Sequence, residues 1–390
     1  SSDWCSTTSR SARPAAPLLL PPLVTTSSAS PRGVRPRRPA FAISALLVAI
    51  AALLAPAAST AADPAPPGFF GVTESLMSPG DFDLMKAADA TTFRTIFPIS
   101  GAKSKRNQAY NWTHMDSYVR MSAYLGIQLQ PVLYGSPPWI SKERSAVPLK
   151  GEAASEWQAY LTAVVQRYGP NGNFWNDPYE QYTPYRPITV WQVWNEPNSI
   201  TWWAPRPNPK QYAKFFKKSA DAITAVDPAA RVMTAGIVAK PTNKFAIPGK
   251  KFIKRMLGTR AARESVDILG FHPFSPSIPG VRHQIVSARK ALNRAGLRSI
   301  PIWVTEIGWG SKGPKSLELV KSPKGQERAL RSTFKMALQE RERLGIEKLL
   351  WYHWRDYRDD LFRWCETSGL VTKKLKTKPI YDIFRDIANP

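Results

Sequence analysis

Apolar residues recur along this chain in two alternating rhythms. Short runs rich in β-branched and aromatic residues occupy 68–72, 91–99, 127–134, 188–194, 231–238, 266–274, 301–306 and 346–354, and each reads as a strand. Between them, apolar positions fall three and four apart. Met115, Tyr118, Val119 and Ser122 line one such face, and Trp157, Leu161, Val164, Val165 and Tyr168 another. Others are Tyr212, Phe215, Phe216, Ala220 and Ile223, then Ile285, Ala288 and Leu292, then Leu330, Phe334, Ala337, Leu338 and Leu344. Thr113 to Asp116 resembles a capping box, and Ser322-Pro323 marks a further helix start. Gly126, Gly296 and Gly345 each stand where a helix ends and a strand begins. Eight strands with intervening helices favour an α/β fold of the (β/α)8 TIM-barrel type over an open doubly wound sheet.

The barrel pattern covers residues 68–390 as a single domain, and the chain before it is different. Residues 1–33 are rich in Ser, Pro and Ala without periodicity, and read as disordered or as an over-extended translation start. Residues 34–62 have the plan of a secretory signal peptide. Arg35, Arg37 and Arg38 precede an apolar run over 41–54, and small residues follow, with Ser59/Ala61 or Thr60/Ala62 at the cleavage positions. An uncleaved membrane anchor is the competing reading, and Pro56 with the small residues after it argues against that. Residues 63–67 form a short linker. The expectation is a secreted, extracellular protein with no membrane span in its mature form, and a monomer.

The 390 residues carry a formal net charge of +25, and +20 remains after residue 62. Such a balance favours polyanionic partners, an anionic or cell-wall glycan among them. A coding bias toward arginine would produce the same excess. No nucleic acid is expected, because no helix-turn-helix, RNP or zinc-finger signature occurs. Cys5 and Cys365 are the two cysteines, so a Cys/His zinc site is ruled out by count, and removal of the leader leaves no intrachain disulfide. Nucleotide-binding glycine loops are missing, and the expected set of cofactors and metals is none.

The candidate chemistry lies at two strand ends. The strand over 188–194 runs into Asn195-Glu196-Pro197, where proline cannot continue a sheet ladder. Pro301-Ile302-Trp303-Val304-Thr305-Glu306 again ends an apolar strand on a glutamate, and Gly308 then opens a loop. The two carboxylates are 110 residues apart, room for about two further strand–helix units at ~30 residues each. Two carboxyl groups at barrel strand ends can divide the work of cleaving a glycosidic bond, one protonating the bridging oxygen and one attacking the anomeric carbon.

Asn195-Glu196-Pro197 followed by Thr305-Glu306 resembles the clan of retaining glycoside hydrolases on (β/α)8 barrels, with its cellulase-like and β-xylosidase-like families. The resemblance implies Glu196 as general acid/base, Glu306 as nucleophile, and Asn195 as a hydrogen-bonding partner of the sugar 2-hydroxyl. It also implies a functional His272 on the sixth strand, in Phe271-His272-Pro273-Phe274. Phe274 stands where related enzymes often carry a tyrosine that touches the nucleophile, so either another hydroxyl such as Tyr352 substitutes or the nucleophile is tuned differently. Leu133-Tyr134 occupies the region of a strand-three histidine found in cellulase-like relatives. Strand ends further give Arg94, Tyr134 and Trp354 as substrate-binding candidates, with Trp354 preferred to Trp351 as the platform under the sugar. Trp139 and Trp202-Trp203 lie in loops that could flank subsites. Lys373, Lys374, Lys376 and Lys378 read most simply as a solvated surface.

The expected function is an exported retaining β-glycoside hydrolase acting on a carbohydrate substrate, a poly- or oligosaccharide. A transglycosylase on the same site and a non-catalytic polysaccharide-binding cell-wall protein are the alternatives.

Overall fold

In the computed structural model the described residues are 65–143, 145–358 and 362–388; the leader segments and Cys5 lie outside them. Eight strands carry the fold: β1 (Phe70–Thr73), β2 (Thr92–Pro98), β3 (Gln128–Tyr134), β4 (Val190–Val193), β5, β6 (Leu269–His272), β7 (Ile302–Ile307) and β8 (Ile346–Tyr352). β5 is in two pieces, Arg231–Met233 and Ile237–Val238. All neighbouring strands pair in parallel, and β1 joins β8 through Val72 opposite Trp351. The first piece of β5 pairs with β4 and the second with β6, so the two ends of the sheet belong to one strand. Bridges Asn195–Gly236 and Met233–Ile268 span this seam, and the barrel closes there.

Each strand is followed by a helix packed outside the sheet. They are α1 (Pro79–Ala87), α2 (Ile99–Ala102), α3 (Thr113–Tyr124), α4 (Gly151–Tyr168), α5 (Pro209–Val226), α6 (Gly249–Leu257), α7 (Arg260–Arg263), α8 (Ile278–Arg294), α9 (Pro323–Leu344) and α10 (Pro379–Ala388). Gly126, Gly296 and Gly345 all take positive φ at the helix ends expected of them. Ser322 caps α9 by accepting from the Gly325 amide, and Pro323 follows at the first helical position. The capping box at Thr113 does not form. Thr113 lies inside α3, and Asp116 turns instead to Arg167 and the Tyr168 hydroxyl on α4. None of the described helices is long and apolar enough to cross a membrane.

Most of the core lies between sheet and helices. Phe93 meets Phe82 and Tyr118, Trp157 packs on Phe215, and Phe70 stacks on Phe334 at 4.2 Å. Fully burying an aromatic or aliphatic side chain of this kind stabilises by ~1.5–3 kcal/mol. A second, small cluster fills the barrel near the strand starts, from Val190, Met233, Ile268 and Trp303. Lys348 enters beside it, donating to Thr92 Oγ1 and lying 5.2 Å from the Trp303 ring, and burial lowers its pKa to about 8. The barrel interior is thus packed below by this cluster and Lys348, and Arg94, Asn195, Glu196 and Glu306 lie toward the other end.

Candidate active site

The turn after β4 is strained and heavily braced. Trp194 has φ 74° and Glu196 φ 37°, in the left-handed region that large L residues rarely occupy. Trp194 is held there by its amide on Leu133 O, its indole on Trp202 O, and rings of Tyr134, Trp157, Trp203 and Phe215 around it. Its ring therefore turns to the helical layer. Asn198, fully buried, donates to Val238 O and Ile247 O and accepts from the Val238 amide, which ties this turn to the end of β5. With Trp194 and Asn198 committed to the scaffold, Asn195 and Glu196 face the cleft.

Arg94 crosses the barrel interior from β2, 2% exposed. Its Nε donates to Gln192 Oε1 at 2.7 Å, Nη2 to Asn195 Oδ1 at 3.0 Å, and Nη1 to Glu306 Oε1 at 2.7 Å. Asn195 Oδ1 is thereby engaged, and its amide nitrogen makes no hydrogen bond to any described residue. His272 Nδ1 lies 2.8 Å from Glu196 Oε1 and 3.5 Å from Glu306 Oε2, while Nε2 meets Thr305 Oγ1 at 3.0 Å. The ring fits because residue 236 is glycine: a Cβ there would sit 1.9 Å from His272 Nε2.

One carboxylate oxygen each from Glu196 and Glu306, and a His272 nitrogen, lie within 4.8 Å of one another. So close an approach is compatible with the ~5–5.5 Å between carboxyl groups of a retaining pair and tighter than the ~6.5–9.5 Å that leaves room for a water. Burial drives the Glu196 pKa well above the carboxylate range, and the nearby Glu306 charge raises it further. Burial also raises Glu306, but Arg94 opposes that shift through its charge and hydrogen bond. Burial and the Arg94 charge lower His272, so its imidazole is neutral. A cation at this trio would have to displace Arg94 from Glu306 and Thr305 or Glu196 from the imidazole. The donor set suits a carboxyl pair that shares one proton better than a metal.

The cleft encloses about 450 Å³ and draws on the carboxyl ends of seven strands, from Glu74 after β1 to Tyr352 ending β8. Arg94, Asn195, Glu196 and Glu306 line it, and His272 sits beneath them, fully buried. Besides His272, three expected substrate contacts are not part of the lining. Trp354 is fully buried, with its indole on Asp81 and its ring against Tyr381, because the chain turns away from the barrel axis after Tyr352. Trp351 is likewise core, bonded to Ser368 O. Tyr134 packs behind the cleft against Trp194 and Trp202, and Trp139 lies under Lys103 outside it. The Tyr352 hydroxyl lies 3.4 Å from that of Tyr357. Of the Trp202-Trp203 pair, Trp202 lines the cleft and Trp203 is buried.

The aromatic wall is instead Phe274, Tyr352 and Trp364, with Phe274 and Trp364 rings 5.0 Å apart. Trp364 follows a loop with no periodicity, so no sequence signal marks it. Glu74 had one: Thr73-Glu74 ends β1 as Thr305-Glu306 ends β7. Its carboxylate accepts from the amides of Ser75 and Arg355 at 2.7 and 3.2 Å, and burial pushes its pKa up to about 7.

No protein-family model matches the chain, and no curated protein does. Solved structures share its fold. A family 39 glycoside hydrolase from the gut symbiont Bacteroides cellulosilyticus WH2 aligns with TM-score 0.60 at 20% identity, over 83% of this chain and 63% of that one. A monomeric β-xylosidase from Caulobacter crescentus CB15 gives 0.59 at 16%, over 84% and 69%. A glucosidase from Croceicoccus marinus gives 0.61 at 12%, over 82% and 67%. The chain has the (β/α)8 barrel fold found in these glycoside hydrolases, and spans under two thirds of the length of the first.

Proposed function

We propose that the protein is an exported retaining β-glycoside hydrolase, with Glu196 as general acid/base and Glu306 as nucleophile. The observation that carries this is the close, buried pair whose two members are tuned differently. Glu196 keeps its proton and Glu306, held by Arg94, is the member that ionises. In the first step Glu196 gives its proton to the bridging oxygen, a Glu306 oxygen bonds to the anomeric carbon, and the bond to the leaving group breaks. In the second, Glu196 takes a proton from water as that water displaces Glu306. His272 holds Glu196 in position, and the unpartnered Asn195 amide nitrogen is placed to donate to a sugar hydroxyl. The cleft carries Glu74, Glu196, Glu306 and Glu318 against Arg94 and Lys240, which favours a neutral sugar at the reacting position.

A panel of activated aryl β-glycosides and dyed polysaccharides tests this with wild type, Glu306→Gln and Glu196→Gln side by side. Glu306→Gln should abolish turnover. Glu196→Gln should lose roughly 10²–10⁴-fold on substrates with poor leaving groups and far less on activated ones. A substrate cleaved equally well by all three proteins would overturn the assignment. Glycan binding without turnover in wild type would favour the polysaccharide-binding alternative. Export is tested by the first residue of protein recovered from the culture medium, expected at Ala62 or Asp63.

A further inference from the structure

A second cavity, of about 510 Å³, lies in the helical layer between α6 and α8 and shares no lining residue with the cleft. Lys250, Lys254, Arg263, His283, Lys290 and Arg294 line it, and no carboxylate does. Lys250 and Lys254 are four apart on α6. His283, Lys290 and Arg294 lie seven and eleven residues along one face of α8, so two basic stripes face each other. Neither helix contains a single Asp or Glu. The side chains of Lys250, Lys254, Lys290 and Arg294 make no ion pair or hydrogen bond to any described residue. On α9 basic residues are interleaved with acids, and Glu340 there takes both Arg282 of α8 and Arg343 of its own helix. A composition bias toward arginine would not segregate charge in this way.

Converging like charges repel, and an anion in the groove would relieve that. We propose that the α6–α8 groove is a binding site for a glycan bearing carboxylate or phosphate groups, separate from the cleft and independent of whether the cleft hydrolyses it. Its volume is that of a ligand site rather than of a flat face. The lining has no Phe, Tyr or Trp on which nucleic-acid bases would stack, and no exposed large apolar residue to enter a membrane. Aliphatic positions such as Leu257 and Val286 leave a floor suited to sugar C–H faces.

Fluorescence anisotropy of the full chain tests the site with labelled oligogalacturonate, a labelled glycerol-phosphate glycan, neutral dextran and a single-stranded oligonucleotide. Lys254→Glu/Lys290→Glu is compared with Arg331→Glu/Lys335→Glu, which makes the same charge change at exposed i,i+4 positions of α9. The groove variant should weaken one or both anionic glycans by about tenfold or more, with a shallower salt dependence, and the α9 variant should lose little of either. The uronate and phosphate arms separate the two sources of charge. Equal losses in both variants would mean diffuse attraction to a basic surface and overturn the site. Tighter binding of the oligonucleotide than of either glycan, lost in the groove variant, would overturn the glycan assignment. Glu306→Gln should bind as wild type does, whatever becomes of hydrolysis.

Discussion

Arg94 donates to Gln192, Asn195 and Glu306, and only the last is a carboxylate. The guanidinium therefore positions two amides while acting electrostatically on one member of the glutamate pair. In a buried site that charge is weakly screened. Arg94→Met removes the contribution that lowers Glu306, so the Glu306 pKa rises and the acid limb of kcat/KM moves to higher pH. Arg94 also lowers Glu196, so the basic limb should move the same way. Arg94→Lys should restore part of the shift. A pH–rate profile that keeps its position while kcat falls would reduce Arg94 to a packing role. At this scale the sequence marked Glu196, Glu306, Arg94, Asn195 and His272, because each lies in or beside an apolar strand. It did not mark Trp364, and it misplaced Trp354. Which way a ring points after the last strand residue depends on the turn that follows, and no local pattern encodes that.

At the scale of elements, β5 decides how the histidine is seated. The strand breaks between Met233 and Ile237 to close the barrel, and Gly236 in the gap backs directly onto the His272 ring. The run 231–238 was legible as one strand. Its interruption was not, because the break comes from closing the sheet, a long-range condition. Helix ends at Gly126, Gly296 and Gly345 were legible since their chemistry is local. The expected cap at Thr113 failed because Asp116 found partners 51 and 52 residues away. Gly236→Ala should push His272 off Glu196 and lower kcat, as His272→Ala should. If the glycine acts only through the ring, then Gly236→Ala added to His272→Ala costs little more, since the smaller side chain leaves room for the new methyl. Additive losses in that double-mutant cycle would show that Gly236 serves the barrel seam instead.

For the whole molecule, net charge and buried carboxyls pull stability in opposite directions with pH. The chain is strongly basic, so falling pH adds positive charge and self-repulsion. Glu74, buried beside the cleft, has its pKa raised from 4.5 to about 7. In the window between those values the folded state binds more protons than the unfolded state. The stabilisation is therefore fully present below about pH 4.5 and is lost as pH rises through about 7. A shift of this size corresponds to about 3 kcal/mol. The wild-type curve mixes this loss with relief of charge repulsion, so its slope alone decides nothing. The difference between wild type and Glu74→Gln cancels the shared repulsion. Calorimetric Tm values at intervals from pH 5 to 8 should show wild type losing ground to Glu74→Gln as pH rises, with the gap levelling off only once pH has passed well above about 7. Parallel curves across the whole range would mean that Glu74 is ionised throughout, its charge held by the Ser75 and Arg355 amides that already face it.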